Sequence, residues 1–268
     1  MPAIQPARMK IQVAQLVEKI HQPEAFVRAL HHLLDFYADR TYRPGQSGEP
    51  PPLLATYKTP TPVFRQIVRE TAALAAIDSA AAFALVDALW DEPYIEFRLL
   101  AITLIGKIPP IPPEPVLVRI RAWIATKPEN RLLDAILEHS FIHIRRDYPQ
   151  IYFQMLEEWL RKDELYSRQT GLRAMLPLLA DPKFQNLPAV SRSLIPLIRV
   201  PPPLLNLDLV AVLRALVHRF PQEAGYILRQ NLTAENPDTV WLVRQVLADF
   251  PGELQNNLRE SLRPFNPV

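Results

Sequence analysis

The stretch Ala215 to Leu228, ALVHRFPQEAGYIL, returns as Val246 to Leu258, VLADFPGELQNNL. Both read as the end of an apolar helix, an aromatic residue, a proline and a second helix. Proline lacks an N–H and clashes with the preceding turn, so it ends the first helix. Its fixed φ also suits the first position of the second. One such hairpin cannot bury both of its apolar stripes. Stacked neighbours can, and a repeated two-helix unit is the mark of an α-solenoid.

The same period runs outward from this pair. Phe26, Leu30, Leu33, Leu34 and Tyr37 form one stripe; Val63, Ile67 and Val68 begin another. Such spacing puts an apolar band on each helix. Alternating β-branched runs are nearly missing, so no strand is expected. Helices are predicted over 9–20, 23–40, 61–76, 79–90, 94–107, 114–126, 129–145, 148–161, 164–180, 187–199, 205–219, 221–232, 237–249 and 251–262. Pro23, Pro62, Pro149, Pro221 and Pro251 sit where helices begin, and Asp78, Asp163 and Asp238 are candidate N-caps. The expected fold is all-α, a HEAT- or armadillo-like superhelix of about seven antiparallel pairs. Residues 1–268 are expected to form a single repeat domain, with a Pro/Gly-rich loop at 41–60 between the first and second pairs.

Composition excludes several classes. With no cysteine there is no disulfide framework, thiolate metal site or cysteine nucleophile. Six glycines among 268 residues fall well below the usual ~7%, and no G-x-G-x-x-G or Walker pattern is present. A nucleotide cofactor is therefore not expected, nor any other cofactor. No apolar run is long enough for a bilayer, and no secretory pattern opens the chain, so a cytoplasmic protein is expected. The net charge is +2, and the cations are 23 arginines and 7 lysines. Residues 101–231 carry 17 basic and 12 acidic side chains, a bias compatible with a polyanion partner.

Three constellations could carry chemistry. Arg65, Arg98, Arg168, Arg214 and Arg244 each lie early or midway in the first helix of a pair, so stacking would align them in a ladder. Arginine's planar fork suits phosphate oxygens. The competing reading is a set of inter-repeat salt bridges to acids such as Glu96 and Asp208. Asp134 and Glu138 are spaced i, i+4, as are His139 and His143. The H-E-x-x-H pattern is not met, so no metal site is expected. Trp90, Trp123, Trp159 and Trp241 fall near apolar stripes and read as core, while Tyr148, Tyr152 and Tyr166 are candidates for a groove.

Several segments together resemble the DNA alkylation repair family, alkylpurine DNA glycosylases built of HEAT-like repeats. They are TPTPVFRQIVRE (Thr59 to Glu70), LWDEPYIEFRLLAITL (Leu89 to Leu104), EEWLRKDELYSRQTGLRAML (Glu157 to Leu176) and Ala211 to Leu228. The likeness runs over residues 20–230. It implies a concave cleft gripping DNA around a damaged base, with an aspartate assisting loss of the cationic alkylpurine. That aspartate falls on Asp134. The tryptophan four residues earlier is Asn130 here, the second of two paired arginines is Gln169 after Arg168, and a later tryptophan is Ala211. Trp241 stands in a similar local pattern about one repeat further on.

The expected function is binding of duplex DNA phosphates on the concave face through Arg131, Arg145, Arg146, Arg168, Arg173 and Arg214, with catalysis weak or lost. One alternative is an active glycosylase that excises alkylated purines with Asp134 as its carboxylate. Another is a solenoid adaptor that holds a second protein in its groove.

Overall fold

The structure, a computed structural model, describes residues 5–39, 54–232 and 237–265. Of the expected loop at 41–60, residues 41–53 lie outside the described part. Fifteen α-helices and no strand occur among the described residues, with one isolated parallel bridge between Ala55 and Tyr94. The chain is an all-α helical solenoid whose helices pack in neighbouring pairs. It divides into two compact units, Met1–Asp147 and Tyr148–Val268.

The first unit contains α1 (Pro6–Val17), α2 (Pro23–Tyr37), α3 (Thr61–Ala75), α4 (Ser79–Trp90), α5 (Ile95–Ile105), α6 (Glu114–Ala125), α7 (Asn130–Ala135) and α8 (Ile142–Asp147). α1, α3, α5 and α7 lie side by side in one layer, and α2 and α4 pack together behind it. The register is set by apolar side chains at equal intervals. Ile67, Leu100 and Leu133 are each fully buried, at 33-residue steps on α3, α5 and α7. Removing such a side chain from water is worth about 2 kcal/mol.

The second unit contains α9 (Pro149–Arg161), α10 (Leu165–Ala180), α11 (Leu187–Arg199), α12 (Asn206–Arg219), α13 (Pro221–Gln230), α14 (Pro237–Val246) and α15 (Gly252–Leu262). α10, α12 and α14 form one layer, and α9, α11, α13 and α15 the other. Leu172, Leu213 and Val243 are fully buried at equivalent places, and so are Met175, Leu216 and Val246.

Local signals fixed most helix ends. Pro23, Pro149 and Pro221 open their helices, and Asp78 caps α4 by accepting from the Ala81 N–H at 3.0 Å. Three end assignments are corrected. Asp163 is not a cap: its carboxylate pairs with Arg168, and α10 begins after Glu164. Asp238 lies inside the first turn of α14, where an acid favours the helix dipole instead. Pro251 is the residue just before α15.

The main departure is at the seventh helix. The expected continuous helix over 129–145 is α7, then a π-helical turn Ile136–Ser140, then α8. Its cause is a close approach rather than a break in the apolar period. Gly106, just past α5, leaves room for the His139 carbonyl; a Cβ there would stand 1.9 Å from that oxygen. Ser140 Oγ donates to the Ile102 carbonyl at 3.2 Å. The Arg145 fork holds the Leu137 carbonyl at 2.6 Å and the Glu138 carbonyl at 2.9 Å.

Gly106→Ala is expected to cost about 2 kcal/mol in urea denaturation, because backbone must move to admit the methyl. Gly252→Ala meets nothing within 4 Å and is expected to be neutral or stabilising by about 0.5 kcal/mol. Equal effects at both positions would contradict the close approach.

Candidate nucleic-acid interface

In the first unit α3, α5 and α7 carry Arg65, Arg98 and Arg131, again at 33-residue steps and each two residues before a fully buried apolar side chain. The three guanidinium-bearing positions are therefore in register on one layer. Arg65 and Arg131 are exposed and make no hydrogen bond or ion pair among the described residues. Arg98 is half-buried. Its Nε donates to the Glu92 carbonyl at 3.3 Å, and its guanidinium lies 4.9 Å from the Trp90 ring centroid. Trp90 in turn stacks on buried Trp123 at 4.3 Å and 13°. This holds the guanidinium in one place while leaving its charge uncancelled by an acid.

Asp134 is exposed on α7, three residues past Arg131, which makes the two neighbours on one helix face. Asn130 is the first residue of that helix and is also exposed. Beyond the π turn, Arg145 is committed to the two carbonyls already described. Arg146 grips Asp147 with both edges of its fork, at 2.7 and 2.8 Å, and its Nη2 lies 2.9 Å from His143 Nδ1. The Arg146 hydrogen bond holds the Asp147 carboxyl below its ordinary range. Burial, then the Arg146 charge, pushes His143 below 6.5.

The second unit treats its arginines differently. By the buried positions, Arg173, Arg214 and Arg244 are the aligned set on α10, α12 and α14. Arg168, placed in this row from sequence, lies outside it. It donates instead to the Lys162 carbonyl at 2.9 Å and pairs with Asp163 at 3.0 Å. Arg173 pairs with Asp208 at 2.8 Å, both largely buried, and Gln169 donates to the other oxygen of Asp208 at 3.0 Å. Arg214 pairs with Asp249 at 3.2 Å. Both pairs join residues 35 positions apart. Arg244 donates to the Phe265 carbonyl at 3.1 Å.

Other residues singled out from sequence find these places. Glu96 meets no arginine among the described residues; it is buried on α5 and accepts from Thr56 Oγ1 at 2.8 Å and the Tyr57 N–H at 3.0 Å. Trp123 and Trp159 are buried, Trp90 is half-buried, but Trp241 is 38% exposed rather than core. Tyr152 is fully buried and donates to the Ala174 carbonyl at 2.7 Å, so it faces no groove. Tyr166 is half-buried, and burial pushes its pKa up to about 12.

One cluster has no sequence signal at all. His31 on α2 bonds the Tyr57 hydroxyl at 2.8 Å and Glu92 at 3.0 Å, and Tyr57 stacks on Tyr94 at 4.8 Å. Burial, then the Tyr94 contact, raises the Tyr57 pKa, so this phenol stays neutral. The cluster fastens residues 54–60 against α2 and α5. Its members are 26 and 61 residues apart, beyond any local pattern.

A family model described as DNA alkylation repair enzyme matches residues 55–196. The chain is similar in fold to the crystal structure of smu.31 from Streptococcus mutans UA159, with a TM-score of 0.51 and 15% identity. That similarity covers 69% of this chain and 94% of the other. Among curated proteins there is no match.

Arg173→Ala and Asp208→Ala are each expected to cost about 3 kcal/mol in urea denaturation, because each strands a buried charge. The double variant should cost clearly less than the two together; additivity would deny the pairing. A second expectation concerns pH. His143 has a lower pKa folded than unfolded, so the unfolded state gains protons first as pH falls through about 6.5. Stability should decline there, and His143→Gln should flatten the decline in a pH series of thermal midpoints. Asp147 contributes only at lower pH, since its folded pKa lies below 3.8.

Proposed function

Because the chain belongs to the DNA alkylation repair enzyme family, we propose that it binds duplex DNA through arginine–phosphate contacts with little readout of base sequence. The observation that carries this reading is the in-register arginine row on α3, α5 and α7 of the first unit, whose members face no acid among the described residues. A regular array of guanidinium groups matches a regular array of phosphates, and such contacts position a duplex without reading it. No helix among the described residues is long and apolar enough to cross a membrane.

Catalysis is weak or lost in this reading. In the family that the chain resembles, excision of a cationic alkylpurine draws on a carboxylate and on tryptophans against the lesion nucleotide. Stacking is worth ~1–3 kcal/mol per base. Asp134 can supply the carboxylate, but Asn130 and Ala211 stand where the resemblance calls for tryptophans, and Gln169 where it calls for an arginine. Gln169 also shares Asp208 with Arg173, which suits a packing role. The second reading, an active glycosylase, is favoured by one observation: Asp134 is exposed on the same helix face as Arg131.

Two measurements test these readings. Binding of an unmodified 20-base-pair duplex should weaken steeply with salt, with a log–log slope of about −3 to −6. Affinity that does not change with salt would reject phosphate binding. Incubation with DNA carrying 3- or 7-alkylpurines should release little or no free base. Release abolished by Asp134→Asn would establish the glycosylase reading instead.

A further inference from the structure

We infer that the three arginines Arg65, Arg98 and Arg131 form the phosphate-gripping strip, while Arg173 and Arg214 of the second unit hold hairpins together. This rests on the DNA-binding reading above and narrows it to residues. The argument is one of charge cancellation. Arg173 and Arg214 each face an aspartate from 35 residues further on, at 2.8 and 3.2 Å. The Arg173 and Asp208 side chains are only 17% and 11% exposed. At Arg173 a phosphate would have to displace a carboxylate from a largely buried, charge-assisted bond, and at Arg214 it would have to compete with the facing Asp249, so little net attraction remains.

The first unit has the opposite arrangement at its own in-register positions. Arg65 and Arg131 reach solvent with no partner among the described residues. Among the described residues Arg98 contacts a carbonyl and a ring, at 3.3 and 4.9 Å, neither of which carries an opposing full charge. Its placement over Trp90, itself stacked on Trp123, also removes much of the rotamer entropy that a free arginine would lose on binding. The middle rung is thus fixed in advance and the outer two stand exposed to solvent. Packed neighbouring helices lie about 8–10 Å apart, so three rungs on α3, α5 and α7 extend over about 20 Å, a length comparable to several phosphates of one strand.

The rung on α7 lies beside Asp134, the carboxylate that the family resemblance singles out, three residues past Arg131 and exposed on the same helix.

The test is the salt dependence of binding to the same unmodified 20-base-pair duplex. Each phosphate contact contributes about 0.9 to the log–log slope. Arg65→Gln/Arg98→Gln/Arg131→Gln should lower the slope's magnitude by nearly 3. Arg65→Gln/Arg131→Gln, which touches two exposed and unpartnered positions and leaves the Trp90 stack intact, should lower it by nearly 2 with an unchanged thermal midpoint. Arg173→Gln should lower the midpoint, and neither it nor Arg214→Gln should change the slope. If the unaltered protein binds with a steep salt dependence and the Arg65/Arg131 variant keeps that slope, the strip is wrong while DNA binding stands. If the unaltered protein shows no salt dependence, both fall.

Discussion

A helix hairpin with Ile67 on one inner face has nothing of its own to set against it. The next hairpin supplies Leu100, and the next Leu133, each with no surface left to water. Burial of one stripe by the following copy fixes the register of every other position. The 33-residue step of the buried side chains is therefore also the step of the exposed arginines. The same logic explains the long-range polar bonds. Ser140 reaches the Ile102 carbonyl 38 residues back, and Thr239 reaches the Ile198 carbonyl 41 residues back. Each joins a side chain to the neighbouring hairpin, and each satisfies a buried hydroxyl that would otherwise be costly.

Most of this architecture was legible because its signals are local. A proline at the head of a helix and an apolar residue every three or four positions act over a single turn. They located α2, α3, α4, α9 and α13 to within a few residues. What escaped was set by contacts that the helical period does not encode. The π turn needs Gly106, some thirty residues away, to admit the His139 carbonyl. Asp163 was read as a cap, yet the arginine within its reach outcompetes the backbone N–H groups. Trp241 shares the apolar spacing of its helix but is partly open to solvent. The helical period alone does not reveal that.

The candidate site was less legible than the fold for the same reason. Arginines in matching helix positions look alike in the chain, and what separates them is the acid opposite. Arg131 belongs to an evenly spaced set with Arg65 and Arg98, a regularity hidden by seeking one ladder along the whole chain. Arg145 and Arg146 are phosphate candidates by sequence, but one closes two backbone carbonyls and the other an aspartate. Asp249 had no mark of its own and becomes visible only as the repeat of Asp208, 41 residues on, matching the step from Arg173 to Arg214.

The π turn has a consequence for how this segment tolerates change in length. A residue in an ordinary helix advances its successors by about 100°. The turn absorbs one extra residue between Asp134 and Arg145, so the two are phased by a count and not by their chemistry. Deleting any single residue from 136 to 140 would restore a regular spiral, with every side chain type around it kept. It would nevertheless swing Arg145 off the carbonyls it closes and turn the following basic pair to a new azimuth relative to Asp134. Descendants of this chain can therefore exchange side chains here more freely than they can lose a residue.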